Sequence, residues 1–535
     1  MLPHVIAEQG AVLHTFCLYG NLWAAMMNRL PQLSKAGLVG LIVFLLLPAL
    51  PLVDPDYFWH LKTGEYIVAH AALPAGDVFS FTREGQPWVL HEWLFEVLLY
   101  LVAAAWGAAG VKILAAALAM SALALDFTAA RRMSGSAMAA WIPVAIGALA
   151  MAAGVAPRPQ LLTYLCFACF LAALLGLKYA GATRPLFGLP FLMVVWVNGH
   201  AGYAVGIALL LLFGACEWLA WLVRPEVDPD RHREQKRRLV RLTQAACLVV
   251  LASLANPGLF ERWLYPLQVL GMSVNDLIQE WQSPNFHQPA AKAYLALVLL
   301  FLVSWTYAVR KPDLTELALP LFFAVLGCIS ARHIPLAVLA LVPFTALALS
   351  RGPLAAVDAA LRRTAAVRWY LARRSAAGGE LGRGESALNW LVAAAVAFYQ
   401  FSHLFDAQAN AGREGRTVLV KGAADYLAAH RIGGRLFNQY GDGGYLIYRL
   451  APYAKVVVDG RADMYGDQFL KDYLHVYQGG ADWQAKFERL AVDLAVLPLD
   501  APIRQLLLAG GRFREVYRDR HFSVLQRRAA SASTS

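Results

Sequence analysis

Residues 36–60 read AGLVGLIVFLLLPALPLVDPDYFWH. The first part of this stretch, 36–53, carries no charge and is long enough as a helix to cross the apolar part of a bilayer. It ends on Asp54-Pro55-Asp56, followed at once by Tyr57-Phe58-Trp59-His60. A greasy helix that delivers two carboxylates and a cluster of rings to the membrane edge sets the reading of the whole chain: polar chemistry placed at the mouth of a span.

The rest of the composition agrees. Of 535 residues, 59% are hydrophobic and 16% charged, where a soluble domain runs at roughly 25% charged, and the mean hydropathy is +0.48. No soluble core of this size needs so much apolar surface, so a single soluble domain is excluded. The fold class expected is an α-helical polytopic membrane domain with a C-terminal extracytoplasmic α/β domain. Apolar runs near residues 36–53, 111–130, 137–155, 161–177, 186–198, 202–223, 242–256, 293–309, 314–331, 334–350 and 387–404 predict about eleven crossings.

One further apolar stretch, Val89 to Trp106, opens with His91, Glu92 and Glu96, which are costly in hydrocarbon. Read as an interfacial helix, it leaves every basic loop on one side: Arg29 and Lys35, Arg131 and Arg132, Lys178 and Arg184, Arg224 to Arg241, Arg310 and Lys311, and Arg351 to Arg383. Read as a crossing, it puts several of them outside. The interfacial reading makes the N-terminus cytoplasmic and the tail after about residue 405 extracytoplasmic. The net charge of +11 then orients the chain and implies no nucleic acid.

Three segments follow: a cytoplasmic stretch 1–35, a membrane domain 36–404 and an outer domain 405–535. Residues 1–35 lack the basic, apolar and cleavage order of a signal peptide, and Met26-Met27-Asn28-Arg29 makes a natural start, so the frame reads as over-extended. The six cysteines form no disulfide framework; Cys166 and Cys169 make a C-x-x-C, read inside an apolar helix as two small buried hydrophobes. The tail alternates strand-like runs (Arg435 to Phe437, Tyr445 to Arg449, Lys455 to Asp459, Leu494 to Leu497, Phe513 to Tyr517, Phe522 to Gln526) with helical stretches near Tyr465 to Tyr477, Trp483 to Leu490 and Pro502 to Ala509. Gly441, Gly443 and Gly444 read as a strand-to-strand turn, and Asp459 with Arg461 as an ion pair bracing Gly460.

The same topology collects a polar set on the outer face: Asp54 to His60, His91-Glu92-Trp93, Pro157-Arg158-Pro159-Gln160, Asn198-Gly199-His200, Asn256-Pro257, Glu280-Trp281 and Arg332-His333. Any one of these reads as snorkelling or capping; together they bring acids and bases from separate loops to one surface. A carboxylate there can take a proton from an acceptor hydroxyl or hold a divalent metal, while Arg and His neutralise a leaving phosphate. Asp56, Asp54, His60, His91 and Glu92 are the candidate catalytic residues. Arg158, Gln160, His200, Glu280, Arg332 and His333 are the candidates for substrate and phosphate. No H-E-x-x-H zinc spacing is present, so a metal, Mg or Mn, stays open.

At Asp56-Tyr57-Phe58-Trp59-His60-Leu61-Lys62-Thr63-Gly64-Glu65-Tyr66-Ile67 the sequence resembles the first outer loop of the GT-C superfamily of integral-membrane glycosyltransferases, in particular oligosaccharyltransferase catalytic subunits. The first outer loop, interfacial helix and second span ending in Ala130-Arg131-Arg132 are also similar to protein mannosyltransferases and lipid A aminoarabinose transferases, although their adjacent Asp-Glu pair is lacking. The resemblance implies a polyprenyl-phosphate or polyprenyl-diphosphate sugar as donor, an extracytoplasmic acceptor, and Asp56 as the catalytic or metal-binding carboxylate. It also implies an uncharacterised bacterial branch in the inner membrane. Phe437 to Tyr445 and Val458 to Tyr465 resemble outer domains appended to such proteins, which implies no activity for them. Two other readings of the chain are a lipid or solute transporter, which needs mid-span charges and interrupted helices, and a non-catalytic assembly protein, for which eleven spans exceed what anchoring requires.

Overall fold

In a computed structural model the described residues are 54–223, 228–352, 354, 364, 380–404 and 418–528. The first predicted span, 36–53, and the start at Met26 lie outside them. Along the chain run α1 (Tyr57–His70), α2 (Trp93–Ser134), α3 (Ala137–Met151), α4 (Gln160–Ala180), α5 (Leu189–Gly199), α6 (Tyr203–Val223), α7 (Pro229–Ala252), α8 (Leu259–Leu270), α9 (Pro289–Thr306), α10 (Leu314–Ile329) and α11 (Ile334–Ser350). A helix α12 (Glu380–Leu404) belongs to a second compact unit and contains the predicted run 387–404.

Among the described residues six helical segments are long and apolar enough to cross a membrane: 93–134, 137–154, 160–180, 203–223, 289–306 and 331–350; α10 is shorter but apolar. Two predicted spans take another form. Run 186–198 becomes a 3-10 turn followed by the 11-residue α5, and run 242–256 is the second half of α7, whose first half is the basic segment from Arg231 to Arg241. The stretch expected as an interfacial helix is continuous with the next span in α2 but breaks from it at Gly107, with φ 60° and ψ −155°. That backbone conformation suits glycine and lets the two halves run in different directions.

The helical core centres on α11, which is buried from Ile334 to Leu349 and packs against α2, α3, α9 and α10. A helix apolar all round is what such an enclosed position needs. Polar groups gather at its two ends. At one end Lys178 pairs with Glu217 and Asp313, and Arg351 with Glu316; at the other lie Arg158, His200 and Arg332, described below. The described cysteines are all free, Cys166 and Cys169 included.

The tail forms one five-stranded sheet in the order β2-β1-β3-β5-β4: β1 (Gly434–Asn438), β2 (Ala454–Val456), β3 (Leu494–Pro498), β4 (Phe513–Arg518) and β5 (Phe522–Arg527). Strand β1 is parallel to both β2 and β3, while β5 runs antiparallel to β3 and β4. Side chains alternate across it. Leu436, Val456, Leu494, Val496 and Val524 face a core completed by Trp59, Phe79 and Trp88, whereas Phe437, Ala495, Leu497 and Leu525 face helices Asp467–Tyr477, Trp483–Arg489 and Pro502–Ala509. Two expectations for the tail need correction. Tyr445 to Arg449 is not a strand but part of helix Gly443–Leu450, since burial at Leu446, Ile447 and Leu450 follows the helical period. Consequently the glycines 441, 443 and 444 connect a strand to a helix, not a strand to a strand.

The tail and the first loop are one folded body. Phe81 N–H donates to the Val456 carbonyl at 3.1 Å and Val456 N–H to the Phe79 carbonyl at 3.2 Å, so the loop pairs along the free edge of β2. Arg461 is buried among Trp59, Phe79 and Trp88, with its guanidinium carbon 4.5 Å from the Trp88 ring centre, and holds Asp459 on one side and Asp77 on the other.

Candidate active site

Asp56 sits just before α1, and its backbone N–H is fixed by the Asp54 carboxylate at 2.9 Å. Its Oδ1 accepts from the Trp59 indole at 3.2 Å, and its Oδ2 lies 2.9 Å from Arg158. Arg158 enters from the turn that opens α4 and also meets Asp54 and Glu280, each at 3.3 Å. Glu280 continues the chain to Arg332 at 2.9 Å, and Arg332 lies over the Trp281 ring, 5.0 Å from its centre. Two guanidiniums and three carboxylates from four separate loops are therefore linked in one partly buried string. Burial raises the Asp56 carboxyl, helped by Asp54 and opposed by Arg158, to about 6. Such a carboxylate is more basic than an exposed one and still ionised at neutral pH.

One turn further along α1, His60 opens a second cluster. Its Nδ1 is 3.0 Å from Glu96 and 3.6 Å from Glu92. His91 and His200 face the other oxygen of Glu92 at 3.4 and 3.5 Å. Burial holds His60 and His200 down to about 3, so both are neutral. Burial is the largest single influence on His91 and Glu92, but Glu92 together with Asp463 and the Val89 carbonyl raises His91 in spite of it, and the surrounding imidazoles together lower Glu92. Helix α1 comes this close because it crosses α2 at Gly64, where an added Cβ would lie 2.1 Å from the Glu96 carbonyl.

The site residues expected from sequence thus fall into two neighbouring groups: Asp54, Asp56, Arg158, Glu280 and Arg332 in one, His60, His91, Glu92 and His200 in the other. Gln160 and His333 join neither group. Gln160 donates to the Gly154 carbonyl at 3.4 Å and closes its own turn, and His333 packs edge-on to Trp281. Sequence reasoning missed Glu96 as a partner, although its spacing of four from Glu92 puts both on one helix face. It also missed the tail's share. Tyr440 donates to the Gly460 carbonyl at 3.3 Å, and Gly460 lies so close that an added Cβ would stand 1.9 Å from Asp56 Oδ1. Gly460→Ala must push the carboxylate aside, and a displacement near 1 Å costs on the order of a hundredfold in rate. Initial rates measured beside thermal melting check this: turnover should fall by about that factor with melting little changed, and full turnover would contradict it.

Comparison with solved structures bears out the fold. ArnT from Cupriavidus metallidurans, bound to undecaprenyl phosphate, aligns over 95% of this chain and 97% of its own, with TM-score 0.50 and 17% identity. The oligosaccharyltransferase AglB from Archaeoglobus fulgidus, in complex with an inhibitory peptide and a dolichol-phosphate, aligns over 86% of this chain and 69% of its own, with TM-score 0.52 and 13% identity. The Archaeoglobus fulgidus oligosaccharyltransferase tethered to an acceptor peptide gives TM-score 0.54 at 12% identity. No protein-family model and no curated protein sequence matches. The chain shares its fold with ArnT and with the archaeal oligosaccharyltransferase.

Proposed function

We propose that the protein transfers a sugar from a polyprenyl-phosphate carrier to an extracytoplasmic acceptor. The observation that carries this reading is the contact of Asp56 with Arg158, in a string that continues through Glu280 to Arg332. In the reaction the acceptor hydroxyl attacks the anomeric carbon, its proton passes to the Asp56 carboxylate, and the carbon–oxygen bond to the carrier phosphate breaks. Arg158 and Arg332 receive the departing phosphate, exchanging carboxylate partners for phosphate oxygens that suit their planar forks. Asp54 and Glu280 hold both arginines in place before the donor arrives.

Further parts of the reading extend the same topology. About eleven crossings, a cytoplasmic N-terminus and a tail on the outer face are part of the proposal, supported by the placement of the basic loops, and a bacterial inner membrane is proposed with them from the resemblance of the first outer loop. The neighbours that carry undecaprenyl phosphate and dolichol-phosphate support the choice of donor. A transporter reading is disfavoured by these distances, because acids and arginines a few ångströms apart at one end of a bundle suit one reaction centre. A metal at Asp56 itself is disfavoured because the Arg158 guanidinium fills the cation position there. The purified full chain should be labelled by a photoreactive polyprenyl phosphate, with competition by unlabelled carrier, and should release sugar to an acceptor from at least one donor in a panel of polyprenyl-linked sugars. Labelling without competition, together with no transfer from any donor, overturns the proposal.

A further inference from the structure

We infer that His60, Glu92 and Glu96 bind one divalent transition-metal ion, with His91 against the other oxygen of Glu92. The donor atoms of the first three all lie within 4.8 Å of one another, and each residue is buried. Two of the separations, 3.0 and 3.6 Å, bracket the spacing of roughly 3.3 Å between ligands of a tetrahedral zinc ion with bonds near 2.0–2.1 Å.

Three observations point to a cation here. Glu96 is fully buried, yet its Oε2 has no hydrogen-bond partner among the described residues. A carboxylate oxygen left dry and unpaired is costly, and an ion satisfies it. Next, the two acidic groups of the site differ. Asp54, Asp56 and Glu280 share the guanidinium of Arg158, whereas the salt bridges of Glu92 and Glu96 among the described residues are all with histidines. Among the described residues the histidine group therefore has two carboxylates with no arginine or lysine in direct ion pair, Arg262 and Arg461 acting on Glu96 only from further away. Last, the surrounding imidazoles are oriented as metal-site imidazoles are. His91 Nδ1 faces the Val89 carbonyl at 3.0 Å, which fixes the proton there and leaves Nε2 turned toward Glu92. Gly202 N–H donates to His200 Nδ1 at 3.0 Å, so the His200 Nε2–H faces Glu92 as an orienting donor.

A mixed imidazole and carboxylate set suits zinc, with cobalt, iron or manganese behind it, and not magnesium, which prefers oxygen ligands and retained water. The ion would tie α1 to the start of α2. Since His60 N–H donates to the Asp56 carbonyl at 3.2 Å, it would also fix the turn that presents Asp56.

The test uses the purified full chain in detergent, stripped with a chelator and loaded with Zn2+ or with Co2+ as a coloured probe. Wild type should retain about one ion per chain by mass spectrometry, with a cobalt absorption spectrum of low-coordinate nitrogen and oxygen ligands. Glu96→Gln and His60→Gln should each weaken binding at least about a hundredfold, while Glu280→Gln, outside the donor set, should bind as wild type. Substoichiometric metal in wild type, or unchanged affinity in both donor variants, overturns the inference. If a variant fails to fold, the wild-type stoichiometry and spectrum still decide. None of these readouts uses sugar transfer, so the metal site stands or falls separately from the transferase reading.

Discussion

Asp56→Asn is expected to lower sugar transfer by about two to four orders of magnitude, the range that removal of a positioned general base costs. The substitution keeps shape and still accepts from the Trp59 indole, but it removes the charge and the basicity that burial confers. Arg158 retains Asp54 and Glu280, so the string around it survives. Carrier labelling should therefore persist while turnover collapses, which separates loss of the base from loss of the binding site. The measurement is a single-turnover transfer assay run beside photolabelling on the same preparations. Undiminished transfer would remove Asp56 from the mechanism.

The second large effect is expected at Arg461→Met. The guanidinium donates through Nε and Nη2 to both oxygens of Asp459, at 2.7 and 2.6 Å, and through Nη1 to Asp77 at 2.7 Å. Tyr465 adds a hydrogen bond to Asp459 at 2.7 Å. Methionine fills much of the same space but leaves two buried carboxylates facing each other with no cation between them. Removing one partner of a buried ion pair costs about 3–5 kcal/mol. The tail should melt earlier, the first loop should become sensitive to protease, and transfer should be lost with them. Tryptophan fluorescence during thermal unfolding checks this directly, since Trp59 and Trp88 both lie against the guanidinium. An unchanged transition would show that the cluster contributes little.

The legible and illegible parts of this molecule divide by range. Asp54, Asp56, Arg158, Glu280 and Arg332 could be gathered from sequence because hydropathy fixes which end of each helix a loop occupies, and charge bias sorts the ends. Pairing of Asp459 with Arg461 was visible because the two are neighbours. Their third partner, Asp77, was not, since it lies 384 residues away. Nor could Gly460 be seen as the floor beneath Asp56, because a glycine in a turn looks the same whether it faces solvent or a carboxylate. Glu96 registered only as a costly residue; its contact with His60 depends on a helix crossing that no local pattern encodes. Tyr445 to Arg449 looked like a strand because aromatic and β-branched residues fit both states, and packing chose the helix. In α11, an all-round apolar sequence cannot distinguish a lipid-facing helix from an enclosed one.

The pairing of the first loop with the edge of β2 also has a consequence for biogenesis. Thr82 and the Val457 carbonyl it binds are separated by 375 positions. A ribosome finishes the intervening helices long before the strand that completes this loop emerges, and contacts so distant along the chain form late. Until the final segment arrives, Trp59, Phe79 and Trp88 lack their covering core and Asp56 lacks the glycine beneath it. A chain terminated before the tail would therefore lack the contacts that fix the first loop, and the proposed reaction centre with them.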